Sequence, residues 1–425
     1  MTGPAEVETA VADAHRRGWG LVLAATARVA RDLDLAEECV QDAYAAALVS
    51  WARDGVPNNP AAWLTTTAKR RAMDAVRRER VLRSKLPLLV EAEAMVDEVA
   101  MDGPLEPVER EPEDVVPDER LRLIFLCCHP ALAQDAQMAL TLRLVCGVST
   151  GDIARMFLAS EPTMAARMTR AKKKISTARI PCRVPGAAEL PDRLRAVLAV
   201  IHLLFTTGHT APSGASLVRT DLMDQALHLT RMLRDLMSDE REVWGLLALL
   251  LVTDARSATR VDADGRLLRL EEQDRSLWDQ SAIAEAHGLI VDGLRGGRPG
   301  RYILQAAIAS LYAEAPTYDQ TDWPQIVALY DELLSVWPSP VVALNRTVAV
   351  SMVSGPAQAL AEIDELEKDG RLERYQYLPA IKADLLERLC RSDEAAIAYR
   401  HALELTSNEA EQAFLAERLA NLNRP

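Results

Sequence analysis

The stretch of this chain from residue 147 to 174 has the pattern of two short helices joined by a tight turn. Apolar residues recur at helical spacing in the first helix, and Ser160 followed by Pro162 is typical of the start of a second. The inward positions of this increasingly basic second helix are Met164, Ala165 and Met168, and its outward positions are Thr163, Arg167, Arg170, Lys172, Lys173 and Lys174. The pattern predicts a helix-turn-helix whose second helix lies in a DNA major groove. The alternative is an ordinary amphipathic hairpin with a solvated basic end.

The composition predicts that the whole chain is all-α. Alanine, leucine, arginine and glutamate dominate, and the long Val, Ile and Thr alternations typical of strands are missing. At 425 residues the chain is also too long for one hydrophobic core, so we expect several domains.

A second basic helix is predicted after the helix-breaking segment 55–60. Its core-facing candidates are Trp63, Leu64, Ala68, Met73 and Val76. The candidates for DNA contact in this helix and the loop before it are Asn58, Asn59, Trp63, Lys69, Arg70, Arg71, Arg77 and Arg78. Because few carboxylates lie nearby, DNA binding is favoured over the alternative of a solvated charged helix.

Acidic residues are concentrated elsewhere. Residues 91–119 hold twelve carboxylates and, as a base, only Arg110, which together with four prolines predicts a mobile linker. An earlier helix carries a stretch of acidic and polar residues: Asp34, Glu37, Glu38, Gln41 and Asp42. The formal net charge of −13 therefore does not exclude DNA binding, because local basic patches decide whether phosphate is bound.

The last third of the chain has the pattern of paired helices. In residues 383–405, Ala383, Ala395 and Ala402 allow close helix contact, and Tyr399 is placed to fill the gap between hairpins. This spacing resembles a tetratricopeptide repeat, a helical hairpin that stacks on its neighbours. The polar stretch 254–274 upstream predicts either a charged groove or, as the favoured interpretation, a solvated connection with internal ion pairs.

No catalytic or metal-binding constellation is evident. The seven histidines lack metal-ligand spacing, and the sequence contains no phosphate-binding glycine loop. The adjacent Cys127 and Cys128, beside His129, are interpreted as buried thiols in preference to a metal or redox site. His202 and His209 are likewise assigned to packing. We expect no cofactor, no enzyme activity and, since no apolar run could span a bilayer, a cytoplasmic protein without a membrane association.

Three ordered motifs carry a family resemblance. Residues 35–44 (LAEECVQDAY) resemble the region 2 helix by which sigma-70 family factors dock on the polymerase clamp. Residues 59–77 resemble the helix that opens and reads the −10 promoter element, and residues 152–172 resemble region 4, which reads the −35 element. The chain therefore resembles the extracytoplasmic-function (ECF) group of sigma factors. Residues 125–132 (FLCCHPAL) and the long tail are similar to the subgroup with a tetratricopeptide-like C-terminal extension.

The resemblance implies a domain organisation and partners. The domains would be region 2 at 10–83, an acidic linker at 84–118, region 4 at 119–181, a helical middle domain at 182–295 and a tetratricopeptide-like domain at 296–425. The partners would be core RNA polymerase, bound by the acidic helix, promoter DNA, and a protein on the C-terminal repeats. The implied function is transcription initiation, with the extension regulating or supporting activity.

Two other functions remain open from the residues. The chain could be a tetratricopeptide adaptor with a vestigial DNA-binding head, or a ligand-responsive promoter-binding regulator without sigma activity. An acidic docking helix ahead of the basic helix argues against both, because neither needs a polymerase-binding surface.

Overall fold

The structure, a computed structural model, describes residues 4–90, 119–157, 159–178, 180, 185, 189–211, 217–263 and 265–422. Most of the predicted acidic linker lies outside these residues. The chain divides into two compact units, Met1–Val200 and Ile201–Pro425, and the division falls within one helix, α8. The described residues contain α-helices, short 3-10 turns and a single isolated β-bridge, which confirms the all-α prediction.

In its described residues the first unit contains seven helices and the start of an eighth. These are α1 (Pro4–Ala30), α2 (Leu33–Asp54), α3 (Pro60–Val90), α4 (Glu119–Cys127), α5 (Gln134–Leu144), α6 (Thr150–Met156), α7 (Glu161–Thr177) and α8 (Leu190–His209). Helices α1, α2 and α3 pack on one another as one module, and α4 to α7 form a second.

The first module is held by small and apolar side chains that are inaccessible to solvent. On α3 the buried positions are Leu64, Ala68 and Ala72, which repeat every four residues. The expectation that Met73 faces the core is wrong: Met73 is 52% exposed, because it lies about 100° around the helix from Ala72.

The second module contains the predicted helix-turn-helix as α6 and α7. Ser149 Oγ caps α6 by accepting from the Asp152 amide, and Ser160 Oγ caps α7 by accepting from the Thr163 amide. The buried face of α7 consists of Met164, Met168, Ala171 and Ile175. Ala165, which was predicted to face inward, is exposed because it lies one helical step away from this stripe.

Two glycines let α1 of the first module pack closely on the second module. A Cβ atom at Gly20 would lie 2.0 Å from the Val145 carbonyl oxygen, so only glycine fits there. Gly147 has φ +67° and lies against the ring of Trp19. The Cδ1 atom of Trp19 is 3.4 Å from the position that a Cβ atom on Gly147 would occupy. The two modules are therefore joined by backbone contact and not only by side chains.

The second unit is a succession of helices. After the end of α8 come α9 (Thr220–Leu236), α10 (Arg241–Asp254), α11 (Gln280–Arg295), α12 (Arg301–Glu314), α13 (Trp323–Val336), α14 (Pro340–Val353), α15 (Pro356–Asp369), α16 (Tyr377–Arg388), α17 (Ser392–Leu405) and α18 (Glu409–Leu422). From α9 onward each helix packs on the next one in the sequence, and α10 also packs on α12. This nearest-neighbour packing is typical of helical repeats.

The hairpin of α16 and α17 buries the residues that the repeat pattern singled out. Ala383, Ala395 and Ala402 are inaccessible to solvent, and Tyr399 is 2% exposed. The Tyr399 hydroxyl donates to Glu387 Oε2 at 3.0 Å and accepts from Arg418 Nε on α18 at 3.2 Å. The tyrosine therefore links three successive helices.

Candidate nucleic-acid interface

The basic side chains predicted to contact DNA in the first module lie on α3. Asn59 Oδ1 accepts from the Ala62 amide at 3.0 Å, and Pro60 occupies the first helical position, where a missing amide costs nothing. Arg70, Arg77 and Arg78 are exposed, and Lys69 and Arg71 are half-buried. The helix therefore presents a row of positive charge to solvent.

The aromatic and amide candidates lie at the start of the same helix. Trp63 is half-buried, and its ring centroid lies 5.7 Å from that of Trp51 in an edge-on arrangement. Asn58 is exposed in the preceding loop. Part of the Trp63 side chain is thus buried in the core, and only its exposed surface can stack on a base.

On α7 the outward positions have different surroundings. Thr163, Arg170, Lys173 and Lys174 are exposed, and the Lys174 ammonium donates to the Ala131 carbonyl. Arg167 Nη1 lies 3.1 Å from Asp135 Oδ2 on α5, and that carboxylate is 61% exposed. Because exposed ion pairs contribute little, Arg167 can exchange Asp135 for a phosphate or a base at small cost.

Lys172 lies in a contact between the two modules. Its ammonium is 2.9 Å from Asp34 Oδ1 and also donates to Glu37 Oε2, and its side chain is only 14% exposed. Arg143 Nε lies 3.8 Å from the other oxygen of Glu37, which is itself 10% exposed. A predicted DNA contact and two predicted polymerase contacts are therefore brought together, and they neutralise one another. The carboxylates hold the pKa of Lys172 above its usual value, although burial acts in the opposite direction.

The remaining polymerase candidates on α2 stay at the surface. Glu38 and Gln41 are exposed, and Asp42 Oδ2 lies 2.8 Å from Arg71 Nη1 in an exposed ion pair. Farther along the same helix, Leu48 and Val49 are 44% and 72% exposed. Helix α2 thus presents an exposed face that is acidic at its start and apolar toward its end.

The adjacent cysteines are part of the core of the second module. Cys127 and Cys128 are buried on and just after α4, and burial raises the pKa of the Cys128 thiol to about 12. The His129 ring nitrogen Nδ1 accepts from the Ala131 amide at 3.1 Å. Within the described part of the chain, no group of three or more His, Cys, Asp or Glu side chains is placed to hold a metal ion.

His202 and His209, in the second unit, each pack on an aromatic ring. His202 lies edge-on to Tyr302, and burial lowers the pKa of His202 to about 4. His209 stacks on Phe205, and burial, with nearby Arg260, lowers the pKa of His209 to about 3. Both rings are therefore neutral at physiological pH.

The sequence reasoning missed the residues that join the modules. Arg143, Gly20 and Trp19 contact partners 106 to 128 residues away, so no local pattern marks them. Asp135, the partner of Arg167 within the second module, was missed as well. Arg28 of α1, 3.1 Å from Glu119 Oε1 at the start of α4, belongs to the same set. A conspicuous local signal exists only for Gly147, a glycine directly before a predicted helix-turn-helix.

Three family models match separate parts of the chain. Sigma-70 region 2 matches residues 16–81, sigma-70 region 4 matches residues 122–175, and a family of unknown function (DUF6596) matches residues 193–293. The first two matches cover α3 as far as residue 81 and α7 as far as residue 175, and together they include all the DNA candidates. No described helix is long and apolar enough to cross a bilayer.

A similar protein is found in Rhizobium meliloti (strain 1021), where it is named only as uncharacterized. The two sequences are 41% identical over 422 residues, covering 99% of this chain and 97% of the relative. The similarity therefore includes the second unit as well as the two sigma regions. With regions 2 and 4 in order and their DNA-suited helices at the surface, the chain belongs to the sigma-70 family, whose partners in transcription initiation are core RNA polymerase and promoter DNA.

Proposed function

We propose that this protein is an ECF-type sigma factor that directs core polymerase to promoters by reading a −10 element with region 2 and a −35 element with region 4. The observation that carries the proposal is that α3 and α7, in the two matched regions, each present basic side chains to solvent. The protein would act in the cytoplasm, where polymerase and promoter DNA are found.

Each DNA candidate has a role that fits its position. On α3, Lys69, Arg70, Arg71, Arg77 and Arg78 would bind the phosphates that flank the melting −10 bases. Trp63, beside Asn58 and Asn59, would receive an unstacked base, a contact worth about 1–3 kcal/mol. On α7, Arg167 and Arg170 would enter the major groove, where a good guanine contact discriminates by about 1–3 kcal/mol, and Thr163 with the three lysines 172–174 would hold the backbone.

Helix α2 would dock on the polymerase. Glu38 and Asp42 supply negative charge to oppose a basic surface, and Gln41 between them supplies a polar contact. The exposed Leu48 and Val49 supply apolar contact on the same helix. This face favours a sigma factor over an adaptor or a simple promoter-binding regulator, because those proteins need no such surface.

Promoter binding would require the two modules of the first unit to separate. The −10 and −35 positions are about 25 base pairs apart by definition, or roughly 85 Å of B-DNA at 3.4 Å per pair. Helices α2 and α7 touch through Lys172 and Glu37, so the contact and simultaneous reading of both elements are incompatible. The 28 residues 91–118 between the modules could bridge at most about 95 Å, which is enough for the separation.

The C-terminal unit would be a tetratricopeptide-like extension that supports transcription, with its repeats binding a protein partner or the polymerase. Its negative charge is distributed over ion-paired helices, such as Arg346 with Asp331 and Glu362, instead of forming one block. Capture of the basic helices by such a surface would be weak at cellular salt, which argues against an inhibitor.

The decisive experiment is transcription in vitro with purified core polymerase on the DNA upstream of the protein's own gene. The full chain should start transcripts at one position, and a chain ending before Leu378 should start fewer, because the last hairpin covers the core of the preceding repeats. Circular dichroism checks that the shortened chain is folded. Absence of any specific start with the full chain would contradict sigma activity, and a folded, more active shortened chain would show that the tail inhibits.

A further inference from the structure

The connection between α10 and α11, residues 255–279, contains arginines in two different environments. Two arginines on the outer side of this segment form ion pairs. Arg266 Nε lies 3.3 Å from Asp262 Oδ2, and Arg269 Nη2 lies 2.7 Å from Glu271 Oε1. This agrees with the predicted ion-paired connection. The other three, Arg256, Arg260 and Arg275, point into the second unit and have different partners.

Among the described residues, Arg260 and Arg275 donate hydrogen bonds only to neutral groups, and Arg256 contacts the ring of Trp278. Arg260 donates to the His209 carbonyl and, at 3.2 Å, to Thr210 Oγ1. Arg275 Nη1 donates to the carbonyls of Tyr312 and Ala315, both at 2.7 Å. In the described part of the chain none of the three has a carboxylate within ion-pair distance.

Two of the arginines contact the ring of Trp278. The guanidinium carbon of Arg275 is 4.7 Å from the ring centroid, and that of Arg256 is 5.8 Å from the same centroid. The indole Nε1 donates to Thr259 Oγ1 at 2.8 Å, which fixes the ring in the segment. Both cations are thus held against the same ring, and no carboxylate of the described residues lies within ion-pair distance of either.

The positive charge of this cluster is not balanced by its surroundings. Burial, with Arg260 and Arg275 nearby, lowers the pKa of Arg256 to about 10, so the group is still charged at neutral pH. The carboxylate that acts on the cluster, Glu411, influences Arg260 and already accepts from Tyr377 and Gln376. Buried charges of one sign are costly unless a counter-ion accompanies them.

Three inaccessible nitrogen atoms of the same region lack hydrogen-bond partners among the described residues: Arg256 Nε, Arg275 Nη2 and His209 Nδ1. Buried donors are nearly always paired, and an unpaired charged donor costs more than a neutral one. Two of these atoms belong to the arginines that contact Trp278, and Arg275 is close enough to Arg256 to lower its pKa. An acceptor that reached both arginines would satisfy both atoms.

We propose that the second unit binds a phosphate-bearing anion at Arg256 and Arg275, beside Trp278, with Arg260 adding to the positive field. A phosphate dianion matches the excess charge of the cluster better than one carboxylate does, and its oxygens match the guanidinium fork. The anion enters past the partly exposed faces of the arginines. The site lies entirely in the second unit and does not depend on the sigma activity proposed above.

Binding of the anion would tie the connecting segment to the ends of two helices. Arg260 holds the end of α8 through His209, and Arg275 holds the end of α12 through Tyr312. A ligand that binds only the folded unit raises its unfolding midpoint in proportion to the logarithm of ligand concentration. The segment would therefore couple ligand concentration to the order of the C-terminal unit.

The test uses the full chain, with isothermal titration calorimetry and thermal unfolding in inorganic phosphate, glycerol 3-phosphate or acetate at matched ionic strength. We expect saturable binding of one phosphate or phosphate monoester per chain, a rise of several degrees in the unfolding midpoint, and no comparable effect of acetate. Tighter binding of the monoester would identify a phosphorylated metabolite as the source, and tighter binding of inorganic phosphate would identify the free ion.

Arg256→Gln should weaken phosphate binding at least tenfold, whereas Arg266→Gln, in the same segment but on its outer side, should bind like the wild type. Arg256→Lys keeps the positive charge but removes the paired N–H donors of the guanidinium group, so it should also weaken phosphate binding. This variant replaces Arg256→Gln in the test if the glutamine variant does not fold. Wild-type protein that binds neither phosphate probe in a saturable way would overturn the proposal. Equal affinities for the Arg256 and Arg266 variants would overturn it as well.

Discussion

Lys172 of α7 and Glu37 of α2 form an ion pair across the two modules of the first unit, although 135 residues separate them in the sequence. The pair is shielded from solvent, and Arg143 and Asp34 extend it to a network of four charged groups. A residue suited to phosphate is thereby bound to residues suited to polymerase. If the modules separate on promoter binding, as proposed above, this contact has to break.

Glu37→Gln should loosen this contact, because Lys172 and Arg143 lose a shielded counter-charge. We expect the free chain to bind promoter DNA more tightly and the first unit to lose about 1–3 kcal/mol of stability, somewhat less than for a fully buried pair. DNA binding at fixed salt and urea unfolding measure the two effects. Glu38→Gln, exposed on the same helix, is the control. Unchanged DNA affinity in the Glu37 variant would mean that the contact does not limit binding.

Arg170→Ala and Arg167→Ala should weaken promoter binding by the holoenzyme without unfolding the protein. Both side chains lie on the outer side of α7, where each would contact a base of the −35 element, so each variant should lose about 1–3 kcal/mol of binding free energy. Binding measured over a range of salt concentrations tests this. Arg16→Ala, an exposed arginine paired with Asp13 on α1, should have no effect. Wild-type affinity of both α7 variants at every salt concentration would remove α7 from the DNA interface.

Reversing Glu38 and Asp42 to lysine should disrupt association with core polymerase, because two positive surfaces would then meet. The acidic pattern of α2 in the sequence also includes Glu37, but its carboxylate pairs with Lys172 and is shielded from solvent. Co-purification with core polymerase provides the measurement. Asp54→Lys, at the end of the same helix, serves as the matched reversal. Normal co-purification of the double variant would place docking elsewhere.

The second unit should lose stability as the pH falls from 6.5 toward 4. Burial lowers the pKa of His202 to about 4, whereas an unfolded chain takes up this proton near pH 6.5. Folding favours the neutral imidazole of His202. Its contribution to the free energy of unfolding is therefore fully present above pH 6.5, and roughly 2 kcal/mol of that contribution is lost at pH 5. Unfolding midpoints measured between pH 4 and 7 follow this loss.

His202→Phe keeps a ring against Tyr302 and removes one of two titrations, so it should roughly halve the acid dependence, because His209 keeps its own lowered pKa. His401→Asn changes an exposed histidine and should leave the dependence as in the wild type. Identical curves for the wild type and the His202 variant would show that other groups dominate.

Cys390→Gly should stabilise the last hairpin. Cys390 lies in the turn between α16 and α17 with φ +61°, a conformation that costs a residue with a side chain about 1–2 kcal/mol and glycine little. Because glycine also gains freedom in the unfolded chain, we expect a net gain of about 0.5–1 kcal/mol. Urea unfolding measures it. Cys390→Ala retains the Cβ atom and should show no such gain.

Local patterns in the sequence were enough to predict the helical modules and most of the basic residues that lie at their surface. Helical periodicity defines which face of α7 is buried, and Ser160 and Asn59 mark where α7 and α3 begin, because capping involves residues only three positions apart. The one-step errors at Met73 and Ala165 arise because a helix of 3.6 residues per turn leaves the edge of an apolar stripe undefined. The pairing of small residues with Tyr399 in the last hairpin was likewise visible locally.

Only the tertiary structure decided which of those charges are free. Nothing near Lys172 in the sequence indicates that its counter-charge comes from α2, and nothing near Arg256 indicates that it lies beside Arg275 without a carboxylate. An arginine or lysine has the same local pattern whether it faces solvent, an acid or another cation. Its burial and its partners depend on contacts between distant segments, and these contacts form only when the helices pack.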